Sequence, residues 1–334
     1  MLKQVKLSSF RIMLSRRHLR VKVLQALYAF FQSDGDDIAA GEKQLLKSTD
    51  KLYELYIYQL SFLIKLVDFA ENRIEEAKKK FYPTDEDLNP NTRLIENRFV
   101  RQIEKNKDYQ RWRDKLKINW SQEELLFHKL FTELKSGQDF IEFTNRDQSG
   151  YADDKELIAL IVMNYLPDYE LLRNYYEDMS IYWSNEDYDI SIIMLIKTIK
   201  SYKEPWGTEH VLPSLFKDEE EEEDVDKDRQ YMLKLFRYSI LRSGENEKLI
   251  EEQAENWDLD RIAIMDIIIM KMALTELMVF PSIPVKVTIN EYIEISKSYS
   301  SIKSKLFING ILDKLVVKLK MEGKILKTGR GLIE

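Results

Sequence analysis

The chain has no cysteine. Disulfides, thiolate metal sites and cysteine nucleophiles are therefore excluded. Glycine and proline are scarce, 10 and 7 in 334 residues, which predicts long helices and few tight turns. The three histidines, His18, His128 and His210, are scattered along the chain, and neither G-x-x-x-x-G-K nor G-x-G-x-x-G occurs to cradle a phosphate. Carboxylates are abundant, but no pair stands out from ordinary helix surface charge. These gaps argue against an enzyme, and no cofactor is expected. The opening "MLKQVKLSSFRIMLSRRHLR" lacks an unbroken apolar core of the secretory kind. The most apolar stretch, 262–280, is interrupted by Asp266, Lys271 and Glu276, which predicts a buried central helix and not a bilayer span. A cytoplasmic protein without a membrane partner is expected.

What is present is hydrophobic residue, 44% of the chain, enough for one large or two ordinary domains. Net charge is −7, but its distribution is uneven. Residues 1–33 hold seven Lys/Arg and no acid, and residues 296–330 hold nine against Asp313 and Glu322. If the two ends meet, they form a basic patch on an acidic body, suited to phosphate. If they do not, these are solvated helix faces.

The periodicity is helical throughout. "RRHLRVKVLQALYAFFQ" (16–32) carries an apolar stripe of Leu19, Val23, Leu27, Phe30 and Phe31, and "DGDD" at 34–37 ends it. A long helix follows and stops before Pro83. Residues 93–117 are basic, nine Lys/Arg against four acids, with Phe99, Tyr109 and Trp112 interleaved, as in an RNA-contacting segment or an ordinary charged helix. "NRDQSGYADDKE" (145–156) has calcium-loop spacing, though Asn145 stands where Asp is expected; a plain turn fits as well. "DEEEEED" (218–224) reads as an acidic linker. Thr288 and Glu291 have capping-box spacing, so a helix is expected to start near 288. In "KSKLFINGILDKL" (303–315) the Asn-Gly pair suggests a hairpin, but Phe307, Ile308, Ile311, Leu312, Leu315, Val316 and Leu319 recur at helical steps. A helix is expected, with Gly310 permitting close approach of another backbone and Asn309 bonding a base or a helix end.

Several strings carry a resemblance. "DLDRIAIMDIIIMKMALTEL", "IPVKVTINEYIEISKSYS" and "KLFINGILDKL", in that order, resemble the C-terminal half of the bacterial NusB transcription antitermination family. "RRHLRVKVLQALYAF" is similar to that family's opening helix. The resemblance implies an all-α fold of two helical bundles, enlarged here by a helical insertion. Residues 1–34 would be a basic arm and first helix, 35–225 the insertion, and 226–334 the remainder with a basic tail. The opening motif is already complete from Met13, so residues 1–12 are an upstream-start artefact or an extra basic arm.

The family binds boxA-type single-stranded RNA of ribosomal RNA leaders together with the ribosomal protein NusE, and joins the RNA polymerase antitermination complex. By this resemblance Arg16, Arg17 and Arg20 contact RNA, with His18 replacing a basic residue. Lys305 reaches a phosphate, and Phe307 stacks on a base or packs in the core. Tyr28 and Asp266 face the protein partner. Lys303 reverses an acidic position of the family. Two alternatives stand beside this: a helical protein-interaction scaffold with RNA binding lost or secondary, and the RNA-targeting subunit of a methyltransferase.

Overall fold

The computed structural model describes residues 14–33, 36–147, 150–216, 228–254 and 262–332. Several expectations fall outside them: the basic arm at 1–13, the first half of "DGDD", Ser149 of the calcium-like loop, the acidic run 218–224 and the "DLDR" that opens the first C-terminal string. The side chain of Lys303 is outside them as well.

All regular structure among the described residues is helical, so the all-α expectation holds. The first helices are α1 (Arg16–Gln32) and α2 (Ile38–Lys78). The next eight are α3 (Asp85–Leu88), α4 (Arg98–Glu104), α5 (Lys107–Leu116), α6 (Glu124–Ser136), α7 (Gln138–Thr144), α8 (Tyr151–Asn164), α9 (Glu170–Met179) and α10 (Asn185–Ser201). The last five are α11 (Asp228–Leu241), α12 (Ser243–Gln253), α13 (Ile264–Val279), α14 (Val285–Tyr299) and α15 (Ile302–Met321). No described helix is long and apolar enough to cross a membrane.

Two compact units divide the chain. One is Asp50–Lys217, and the other joins Leu14–Thr49 to Asp218–Glu334. The division lies within α2, fifteen residues beyond the expected end of the first segment. Close packing is the reason. A Cβ on Gly41 would stand 2.6 Å from the Phe236 ring, and Arg237 of α11 binds Glu42 through two bonds of 2.7 and 2.8 Å.

The inserted unit, Asp50–Lys217, has an aromatic core. Phe62 stacks on Phe127 at 4.9 Å, and Trp120 donates its indole N–H to Ser61 at 2.9 Å. Tyr56 and Thr198 share a buried hydroxyl hydrogen bond of 2.8 Å. Two described residues of the calcium-like loop serve helix ends. Asn145 Oδ1 accepts from Asn91, and the Asp153 carboxylate folds back onto the Gly150 amide at 2.7 Å. No cluster of three or more metal-capable side chains occurs among the described residues.

In the split unit α13 is the core helix, packed by α1, α11, α12, α14 and α15. Its three charged residues are all buried, and each is answered. Asp266, in the first turn, accepts the Ser300 hydroxyl. Lys271 donates to Glu247 at 2.6 Å and Ser243 at 2.9 Å. Glu276 receives both arms of the Arg20 guanidinium at 2.8 Å, the Thr288 hydroxyl at 2.8 Å, the Tyr292 hydroxyl at 3.3 Å and that of Tyr231. Burial pushes the Glu276 carboxyl up, but the Arg20 charge and these donors outweigh it and hold the group below the usual carboxylate range.

Two expectations change here. α14 starts at Val285, directly after Pro284, not near 288. Pro284 stands at the N-cap in an extended conformation, with no amide to satisfy, so Thr288 lies inside the helix, fully buried against Glu276. Gly310 does lie within a helix, as the stripe predicts, but it admits no close neighbour: a Cβ there would meet nothing within 4 Å.

Glu276→Ala should destabilise the protein by about 3–5 kcal/mol, because it strands a buried guanidinium; urea unfolding measures it. The folded-state pKa of Glu276 is depressed. Its contribution is therefore complete above the usual value of about 4.5 and is lost as pH falls through the depressed value. Glu276→Gln should flatten that acid limb in stability measured from pH 7 to 3. Gly310→Ala should stabilise by about 0.5–1 kcal/mol, since an exposed helical glycine carries only an entropic cost.

Candidate nucleic-acid interface

The start of α1 is fixed by Ser15. Its hydroxyl accepts the His18 amide and its own amide donates to His18 Nδ1, both at 3.4 Å. His18 thus serves the cap of the helix. The arginines that follow fan out to three different helices. Arg16 Nε lies 3.0 Å from Asp228 of α11, with the guanidinium 4.4 Å from the Tyr231 ring centre. Arg17 binds Glu291 of α14 with two bonds of 2.9 Å through Nε and Nη2, and 47% of its side chain stays exposed. The Glu291 hydrogen bond raises the Arg17 pKa further, so this guanidinium is charged at any working pH.

Arg20 differs from the other two. The resemblance places it among the RNA contacts, yet it is 2% exposed, with its fork committed to Glu276. A guanidinium so enclosed does not reach a phosphate; it positions α1 against α13. Asp266 is likewise 3% exposed, although an ionised carboxylate in an apolar run was expected to face solvent or a partner. The positive end of α13 and the Ser300 hydroxyl supply the compensation that an outside cation would have given. Tyr28, on α1, is 39% exposed.

The α15 residues lie along the first half of that helix. Lys305 and Phe307 are half-buried. Asn309 donates to Asp313, one turn on, at 3.0 Å. Glu294 of α14 accepts a hydrogen bond from Lys297. That carboxylate is held below its usual range by a hydrogen bond from Lys297, with the charges of Lys297, Arg17 and Lys305 adding to it. Arg17 and Lys297 therefore pair with Glu291 and Glu294, one turn apart on α14, and the charge of Lys305 also acts on Glu294.

Glu294 and Lys297 were not singled out in the sequence, and Glu291 was read only as a capping residue. Their three-residue spacing puts them on one helical face, but only folding sets that face beside Arg17. Chemically the site is a cationic surface with carboxylate counter-charges. It can hold a phosphate through the free edge of Arg17 and the two lysines, and it has no nucleophile paired with a base.

Comparison with known proteins identifies relatives of part of the chain. The NusB family model matches residues 192–317. A transcription antitermination protein NusB from Salinibacter ruber is 42% identical over 105 residues, covering 31% of this chain and 66% of that protein. One from Chloroherpeton thalassium is 39% identical over 108 residues, covering 32% of this chain and 51% of that protein. A third, from Koribacter versatilis, is 41% identical over 105 residues, covering 31% and 72%. The chain thus spans between half and three quarters of each of these relatives, and about two thirds of its own length lies outside each match. No solved structure matches. With 72% of one relative covered at 41% identity, the chain belongs to the NusB family.

Proposed function

We propose that the protein is an RNA-binding transcription antitermination factor acting in the cytoplasm. It binds boxA-type single-stranded RNA of ribosomal RNA leaders together with the ribosomal protein NusE, and the pair joins the RNA polymerase antitermination complex. The observation that carries this reading is the pairing of Arg17 and Lys297 with Glu291 and Glu294, one turn apart on α14, on a chain of this family. In the reading, Arg16, Arg17 and Lys305 take phosphates and the half-buried edge of Phe307 stacks on an unpaired base. Asn309 turns from Asp313 to a base edge. Arg20 acts indirectly, by fixing the helix that presents Arg16 and Arg17. Tyr28 marks the partner surface, and Asp266 sets the start of the core helix.

RNA must compete with carboxylates that already hold both contact arginines. Binding is then an exchange of counter-charges, steeply dependent on salt. Fluorescence anisotropy with a short boxA-like RNA, with and without NusE, tests it across salt concentrations. Arg16→Ala/Arg17→Ala should weaken binding on the order of tenfold and lower the salt slope by about 0.7 per lost contact. Equal affinity for boxA-like and scrambled RNA, unchanged in the variant, would overturn the reading in favour of a protein scaffold.

A further inference from the structure

The basic run at 93–117 has no role in the interface above. It carries nine Lys/Arg against four acids, in a unit whose residues 50–217 hold 24 Lys/Arg against 31 Asp/Glu. Its aromatic residues do not form the outer face. Phe99 and Tyr109 are 1% and 2% exposed, and half-buried Trp112 lies beneath Lys115, whose Nζ is 4.2 Å from the ring centre. What the fold turns outward is cationic. Lys107, Arg111 and Lys115 recur at four-residue steps along α5, a stripe of about 12 Å. Lys105 stands just before the helix and Lys117 caps its end.

Carboxylates answer part of this row. Glu209 pairs with Lys107, Asp108 with Arg111 at 3.4 Å and Asp114 with Arg113 at 2.8 Å. Lys105, Lys115 and Lys117 have no carboxylate partner among the described residues. A second observation is independent of charge. Lys117 sits at φ 52° and ψ 41°, a left-handed helix end where glycine is the inexpensive residue. The chain keeps a lysine there at a cost in backbone strain.

We propose that this outer face of α5 binds RNA through its backbone phosphates, as a sequence-independent contact made by the inserted unit. The inference rests on the RNA-binding reading above. A protein partner is disfavoured because interfaces between proteins centre on large apolar anchors, whereas the row itself exposes none and the exposed apolar side chain beside Lys115 and Trp112 is the small Val211. A row of cations without such an anchor positions a phosphate backbone and does not read bases.

The test uses the full chain and two RNAs, one boxA-like and one scrambled. Lys105→Gln/Arg111→Gln/Lys115→Gln/Lys117→Gln should weaken both by the same factor, on the order of tenfold near 50 mM salt, and lower the salt slope by about 2–3. The preference between the two RNAs should not change. Lys117→Gly should melt at a higher temperature yet bind RNA more weakly, a pairing of signs that a purely structural lysine would not give. Unchanged affinity and slope in the quadruple variant, while Arg16→Ala/Arg17→Ala weakens binding, would overturn this inference and leave the function reading standing. Loss of binding to a poly-glutamate peptide, with RNA binding intact, would overturn it in favour of an acidic protein. If the wild-type protein binds neither RNA, both readings fall.

Discussion

The pairing of Arg20 with Glu276 is the constraint on which the rest of the split unit depends. A guanidinium and a carboxylate are removed from water together, and Tyr231, Tyr292 and Thr288 donate to the same carboxylate. The three donors come from α11 and α14, so one buried charge pair registers four helices at a single point. It joins residues 256 positions apart, across the whole inserted unit. A buried pair of this kind adds little stability compared with an apolar substitute, but breaking one half of it is costly. Its use here is registration: α1 can take only the placement that delivers Arg20 to Glu276.

That registration divides the work among the arginines. With Arg20 fixed, the helix presents Arg16 to Asp228 and Arg17 to Glu291 near the surface. Both arginines are pre-oriented by carboxylates that an incoming phosphate can replace. The same logic runs along α13, where three charges interrupt an apolar helix and all three are internal struts. None of them is the solvent-facing position that an isolated reading of Asp266 expects.

Much of the architecture was legible beforehand, because helical periodicity and apolar burial are properties of neighbouring residues. The stripe through Ile308, Leu312, Leu315 and Leu319 outweighs the turn preference of Asn309 and Gly310, and α15 runs unbroken through both. Local rules were less reliable where a distant group competes for the same atom. Thr288 and Glu291 have capping-box spacing, yet Thr288 serves Glu276 and Glu291 serves Arg17. The close-packed glycine is Gly41, against Phe236, while Gly310 faces open space. No pattern around either residue distinguishes them, because the Phe236 ring arrives from a helix nearly 200 residues away.

The sequence by itself determined the helical class, the core helix, the resemblance of the two chain ends to one family and the presence of an insertion between them. These follow from periodicity, composition and short strings, which need no knowledge of distance. Only the tertiary structure decided which cations are buried and which are available. Arg16, Arg17 and Arg20 are alike in sequence, and one turn of helix separates a surface guanidinium from an internal one. The physical reason is that solvation depends on what packs around a charge, and that neighbourhood is assembled from helices far apart in the chain.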